Sequence, residues 1–246
     1  KGEIFESMGP DDLAILNGDD ETLRAYYPPT RRLTYGLQEG SDFVAANVEN
    51  LGAQGVRCTI RHAGGEFDVH IPAYGVHMVY AALAGAAVGH CLGMTDEEIA
   101  RGIAHYQTVG DRARVLHTPK LTIVSDCYNA NPSSTAAAIE SLRLLDGRKV
   151  CVLGDMLELG ENTAALHRQV GERAAQAGVE LVLCTGELSR SICEGARSAG
   201  GTALWFPDKD ALISALPETI RMGDCILVKA SHSMAFEDVT KALLEL

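Results

Sequence analysis

From residue 120 onward the sequence alternates strictly between short apolar runs and amphipathic stretches, and no other feature restricts its fold as much. Apolar runs at 121–125, 149–153, 180–184, 203–206 and 224–228 read as strands. Helical patterns fall between them at 132–145, 163–177, 187–199 and 208–215, with a last one at 234–245. Strands joined by helices of this length form right-handed crossovers, which demand a parallel sheet covered on both faces. The expected fold class is α/β, with this half a doubly wound domain.

The first part of the chain is patterned differently. Residues 1–8 read as a helix stopped by Gly9-Pro10, and 14–17 and 32–35 as short strands. A helix at 20–27 is expected between them, opened by Gly18-Asp19-Asp20 and broken at Pro28-Pro29. Within 42–71, the runs VRCTIRH and EFDVHI joined by Ala63-Gly64-Gly65 predict a β-hairpin. Residues 77–92 are apolar on nearly every face and predict a buried helix. Thr95-Asp96-Glu97-Glu98 is a capping box for a helix reaching about Tyr106. The polar stretch 108–119, with Gly110, Arg112, Arg114 and Pro119, reads as a boundary, giving expected domains of 1–112 and 113–246.

Charge narrows the partners. Lys plus Arg is 21 and Asp plus Glu 33, a net charge of −12, which argues against a nucleic-acid backbone or an anionic membrane as main partner while leaving room for a local basic pocket. The seven cysteines form no C-x-x-C pair, and with the eight histidines they show no zinc-ligand spacing. Free, buried thiols in a reducing cytoplasm are expected. The longest apolar stretch, 76–92, is too short and too interrupted to span a membrane. The chain opens on KGEIFESM, which reads as mid-helix without an initiator Met, so a longer parent polypeptide is expected.

In a doubly wound sheet, ligands sit outside the carboxyl ends of the strands. The loop after 121–125 is Asp126-Cys127-Tyr128-Asn129-Ala130-Asn131-Pro132-Ser133. Asn131 suits an N-cap and Pro132 a first helical position, so a helix N-terminus favours an anion in this loop. Asp126 ends the strand, where a carboxylate accepts hydrogen bonds from hydroxyls such as those of a ribose. Capping and turn chemistry account for Asn131 and Ser133, but not for Asp126, Tyr128 and Asn129 in the same loop. The loop after 149–153, GDMLELG, resembles a nucleotide-binding turn but lacks G-x-G-x-x-G, which speaks against a dinucleotide. Lys229 ends the run 224–228, where its ammonium must meet an anion or reach water. Taken alone, His77 reads as a core or cap residue, Asp19 and Asp20 as caps, and His167 as structural or surface. No Lys follows a Gly, so the phosphate loop G-x-x-x-x-G-K-[ST] does not occur.

The segments DCYNANP, GDMLELG followed by His167, and LVKASHSM resemble the Mur ligases, as do KGEIFE, ILNGDD, the TYG at 34–36 and GVHMVYAALA. The resemblance runs along essentially the whole chain. Its YNANP and GDM-x-ELG segments are closest to the branch that adds D-alanyl-D-alanine to UDP-N-acetylmuramoyl-tripeptide in peptidoglycan synthesis. The resemblance implies the back part of a central ATPase domain followed by a Rossmann-like domain, without the UDP-substrate domain and the phosphate loop. It implies an ATP-dependent amide ligase in which ATP phosphorylates a carboxylate, an amine attacks the acyl phosphate, and Mg2+ bridges the phosphates.

By position, the resemblance makes Lys1 the lysine that the family carbamylates to support magnesium, and pairs it with His77 as catalytic. It places Asn17, Arg112, Asp126, Tyr128 and Asn129 on the ATP side, with Asp126 at the ribose. Asn131, Ser133, Asp155, Lys229 and Ser231 fall on the substrate side. Met78 and Ala81 replace two asparagines of the family's G-x-H-N-x-x-N, the second of which lies near the adenine. The parent is expected to be a cytoplasmic monomer, and the chain alone to have little or no ligase activity. Other readings are a sister ligase such as MurE or folylpolyglutamate synthase, a dinucleotide-dependent oxidoreductase, and a non-catalytic binding module.

Overall fold

The computed structural model describes residues 2–26, 30–108 and 112–246, in two compact units, Lys1–Gln107 and Thr108–Leu246. In the first unit a 3-10 turn at Gly2–Phe5 stands where a longer helix is expected. It is followed by β1 (Leu13–Asn17), α1 (Glu21–Ala25), β2 (Arg31–Gly36), β3 (Phe43–Asn50), β4 (Val56–His62), β5 (Gly65–Ile71), α2 (Met78–Cys91) and α3 (Asp96–Ala104). The strands lie in the order β1-β2-β3-β4-β5, parallel through β3 and antiparallel from β3 to β5. The hairpin is as expected, closing between His62 and Gly65 around Ala63-Gly64.

Side chains alternate across β4 as a two-residue period requires. Val56, Cys58 and Ile60 are buried under α2 and α3, packed with Val79, Leu83, Ala86 and Ile99. Arg57, Thr59 and Arg61 face outward and meet Glu49, Asp68 and Glu66 at 3.2, 2.8 and 3.1 Å. The helix α2 is less buried than its composition predicts. Val79, Ala82, Leu83, Ala86 and Ala87 form one buried face, whereas Ala81 and Val88 are exposed. Its alanines and glycines make every face look apolar, so periodicity could not pick out the packed one.

The second unit holds β6 (Arg114–His117), β7 (Thr122–Asp126), α4 (Pro132–Leu142), β8 (Arg148–Leu153), α5 (Thr163–Gln176), β9 (Leu181–Thr185), α6 (Arg190–Ser198), β10 (Ala203–Phe206), α7 (Lys209–Thr219), β11 (Asp224–Lys229) and α8 (Glu237–Leu244). The order is β10-β9-β8-β11-β7-β6, and β7 to β11 are all parallel, as the alternation requires. Within the polar stretch 108–119, where no strand is expected, Arg114–His117 adds an antiparallel edge strand on β7. Four residues with exposed ends leave too little alternation for the sequence to betray a strand.

The chain builds outward from β8 to β9 and β10, then returns through α7 to insert β11 between β8 and β7. Every residue of β11 is buried, which is why it reads as a continuous apolar run. At its amino end Arg148 grips Asp224 through two hydrogen bonds of 2.8 and 2.7 Å. The helices α5 and α6 cross backbone to backbone. A Cβ on Gly171 would lie 1.9 Å from the Ile192 carbonyl oxygen, and one on Gly195 2.1 Å from that of Arg168. Among the described residues no helix is long and apolar enough to cross a membrane.

Candidate functional site

The returning strand β11 brings three loops together at the carboxyl ends of β7, β8 and β11, the switch point where ligands bind in such sheets. Lys229 and Asp126 are paired in register at the ends of β11 and β7. Paired residues of neighbouring strands project to the same face, and here the ammonium Nζ lies 2.5 Å from Asp126 Oδ2. Lys229 is 3% exposed and Asp126 8%, so both charges are largely withdrawn from water. Of the two alternatives open for Lys229, it meets an anion.

Two further bonds hold the pair. Lys229 donates to the Asn129 carbonyl oxygen at 2.9 Å. Asp126 Oδ1 accepts the Ala113 backbone N–H at 3.1 Å. Ala113 has a left-handed φ of 52°, unusual for a residue with a Cβ. Beside the buried pair, the Arg112 guanidinium lies 3.4 Å from the Tyr128 ring centroid, and His232 packs 5.4 Å from the same ring. Tyr128 is 45% exposed, so the stack presents a cationic, aromatic surface to water. Sequence reasoning misses His232, whose only signal is its place in the loop after β11.

The loop after β8 is laced to the loop after β11. Gly154 N–H donates to the Lys229 carbonyl, Ser231 N–H to the Asp155 carbonyl, and Leu157 N–H to Ser231 Oγ, at 3.0, 3.0 and 2.9 Å. Asp155 turns its carboxylate away from these bonds, accepting the Ser189 N–H at 2.7 Å. His167 is fully buried; it accepts the Met156 N–H on Nε2 at 2.9 Å and donates from Nδ1 to the Thr163 carbonyl at 2.8 Å. It is therefore a neutral structural residue that shapes GDMLELG. Asn131 Oδ1 accepts from the Ser134 N–H at 2.8 Å and from Ser133 Oγ at 2.9 Å, so both residues serve the N-terminus of α4.

In the first unit, Asn17 ends β1 and accepts the Asp19 N–H at 3.0 Å, and His77 is the residue before α2. Asp20 caps α1 as expected. Asp19 does not. Its carboxylate accepts the N–H groups of Leu37 and Gln38 at 2.6 and 3.2 Å and the Tyr80 hydroxyl at 2.8 Å, tying the loop after β2 to α2. Burial, then the Asp19 bond, push the Tyr80 phenol up to about 12. Met78 and Ala81 line an apolar cleft of about 320 Å³ with Met94, Ile99, Ile103 and Tyr106. Lys1 lies outside the described residues.

Of the seven cysteines, six are buried and Cys91 is exposed, among the described residues all free. Burial raises the Cys58 thiol to about 11 and the Cys151 and Cys184 thiols well above their usual range.

The family described as "Mur ligase middle domain" matches residues 1–89, and that described as "Mur ligase, glutamate ligase domain" matches 111–232. The UDP-N-acetylmuramoyl-tripeptide–D-alanyl-D-alanine ligases of Escherichia coli (strain K12) and Bacillus subtilis (strain 168) are 36% and 33% identical over 100% of this chain. The alignments cover 55% and 54% of those proteins, so the chain spans about half the length of the curated relatives it matches. A MurF crystal structure from Acinetobacter baumannii superposes with a TM-score of 0.87 at 26% identity, over 100% of this chain and 54% of that one. The MurF ligase from Thermotoga maritima in complex with ADP gives 0.83 at 25%, over 99% and 56%.

Proposed function

The chain belongs to the Mur ligase family, and on that premise we propose that it forms part of an ATP-dependent ligase joining D-alanyl-D-alanine to UDP-N-acetylmuramoyl-tripeptide through an acyl phosphate. The observation that carries the reading is the buried Lys229–Asp126 pair at the switch point, with the Arg112–Tyr128 stack beside it. The relatives named for this reaction support the choice of substrates.

In this reading ATP is bound as a substrate, its ribose hydroxyls near Asp126. A carboxylate has about four lone-pair sites. Lys229 and Ala113 take two, which leaves capacity for a hydroxyl donor. Lys229 has three N–H donors and spends two on Asp126 and Asn129. The exposed Arg112 guanidinium, flat on Tyr128, supplies a fixed cation for a phosphate.

Mg2+ travels with the nucleotide phosphates in this scheme. The described site carboxylates do not make a seat for it. Asp126 is held by Lys229, Asp155 by Ser189, and Asp19 by Leu37, Gln38 and Tyr80. A UDP-linked substrate and free thiols fit a cytoplasmic setting.

The test is phosphate release from ATP with UDP-N-acetylmuramoyl-tripeptide, with and without D-alanyl-D-alanine. It is run on the chain alone and on the chain fused behind the remaining half of the Escherichia coli relative. Release by the fusion that requires both substrates is expected, with none from the chain alone, which has no G-x-x-x-x-G-K-[ST] run. Release driven by another amine would overturn the substrate, and none with any amine would favour a non-catalytic module.

A further inference from the structure

We infer that His62, His90 and Asp96 form a transition-metal site in the first unit. The inference is independent of the ligase reading. His62 ends β4, His90 lies in the last turn of α2, and Asp96 opens α3. Each offers a ligand atom, and these atoms lie within 4.8 Å of one another. The spacing 62, 90, 96 matches no familiar zinc motif, so only the fold reveals the cluster.

The geometry is close to that of a bound ion. His62 Nε2 stands 3.2 and 3.4 Å from the two carboxylate oxygens of Asp96. Two ligands placed about 2.0–2.1 Å from a tetrahedral ion are separated by about 3.4 Å. That pair is therefore already spaced as ligands are. The rings of His62 and His90 lie 4.9 Å apart at 64°, edge to face rather than stacked. His90 is exposed, and its ligand nitrogen already lies within 4.8 Å of those atoms.

The surroundings hold the buried ligand still. The His62 side chain is 5% exposed, with Phe43 stacked at 5.5 Å and Phe67 edge-on at 6.0 Å. Such an apolar wall limits water and fixes the ligand's orientation. The Gly64 N–H donates to His62 Nδ1 at 3.3 Å, which puts the ring proton on Nε2, facing Asp96. A metal takes the place of that proton, which moves to Nδ1, and the long Gly64 contact in the exposed hairpin turn opens. Two imidazoles with one carboxylate favour Zn2+ and its neighbours over Mg2+. Water would complete the coordination, and the ion would clip β4, α2 and α3 together.

The test uses the chain without a histidine tag, stripped by chelator and titrated with Zn2+ against a chromophoric competitor, then with Co2+ followed by its visible absorption. One Zn2+ per chain, a tetrahedral Co2+ spectrum and a melting temperature raised by Zn2+ are expected. His90→Ala, at an exposed position, should keep the circular dichroism of the metal-free protein. It should weaken Zn2+ binding by about 100-fold or more, because even residues that only support a metal ligand are worth 10–100-fold. Asp96→Asn should behave alike. No saturable binding at micromolar Zn2+, or binding and Co2+ absorption unchanged in His90→Ala, would overturn the inference and leave an ordinary His62–Asp96 hydrogen bond.

Discussion

Lys229 and Asp126 are neighbours across β11 and β7 although 103 residues apart in sequence, and their opposite charges meet at 2.5 Å with almost no access to water. Breaking a buried pair from one side strands a charge and costs about 3–5 kcal/mol. Lys229→Met should lower the unfolding free energy in urea by that order. Adding Asp126→Leu should recover part of the loss, because a neutral apolar pair carries no stranded charge. It should still fall short of the parent by about 1–3 kcal/mol, since the buried Ala113 N–H then lacks its acceptor. Strictly additive losses in the two variants would contradict this account.

The Arg112–Tyr128 stack makes a separable prediction. Tyr128 is too exposed to matter much for folding, so Tyr128→Ala should shift stability by no more than about 0.5 kcal/mol. If the stack receives the nucleotide, the same change should weaken ADP binding about two- to five-fold, as expected for a cation–π contact of about 0.5–1 kcal/mol. Calorimetric titration with ADP reads this directly. Equal affinity in parent and variant would remove the stack from the site.

Two helix glycines should respond to alanine with opposite signs. A Cβ on Gly102 of α3 would have nothing within 4 Å, so Gly102→Ala should stabilise by about 0.5–1 kcal/mol through helix propensity. Gly171 on α5 gains the same propensity, but its Cβ would sit 1.9 Å from the Ile192 carbonyl oxygen. Forcing two helix backbones apart costs up to about 3 kcal/mol, so Gly171→Ala should lose about 2 kcal/mol net. Denaturation midpoints of the two variants decide it.

Stability should also fall in alkali through Tyr80. The folded phenol keeps its proton up to about 12, against an ordinary value of 10.0. A raised value means the folded state holds the proton more tightly than the unfolded chain. The contribution is therefore complete below about pH 10 and lost as pH rises toward about 12. Tyr80→Phe should flatten this part of the profile. Melting curves of both proteins across that range, differing by a constant offset, would show that Tyr80 plays no part. Comparison with the parent is needed because Cys58 titrates nearby, at about 11.

The sequence carried the second unit well, because buried parallel strands are apolar along their whole length and the helices between them are amphipathic. The loops of Asp126 and Lys229 followed from strand ends alone. What it could not carry were relationships that join distant segments. Asp19 reads as a cap beside Asp20, yet its partners are Leu37, Gln38 and Tyr80. Asp155 and Ser231 stand in loops at strand ends, yet nothing in their positions tells that the Asp155 carboxylate accepts the Ser189 N–H or that Ser231 Oγ accepts the Leu157 N–H. The strand Arg114–His117 is too short to show a period, and His232 owes its place beside Tyr128 wholly to the return of β11.

That return has a temporal side. β11 is made after β7, β8, β9 and β10, yet it belongs in the middle of the sheet. While the chain is being synthesised, β8 and β7 must leave a gap between them, with unpaired edges, until the last strand arrives. Asp126 waits through that interval without its cation. Closing a loop of 103 residues delays the step further, so the slowest event in folding is expected to be the one that assembles the site.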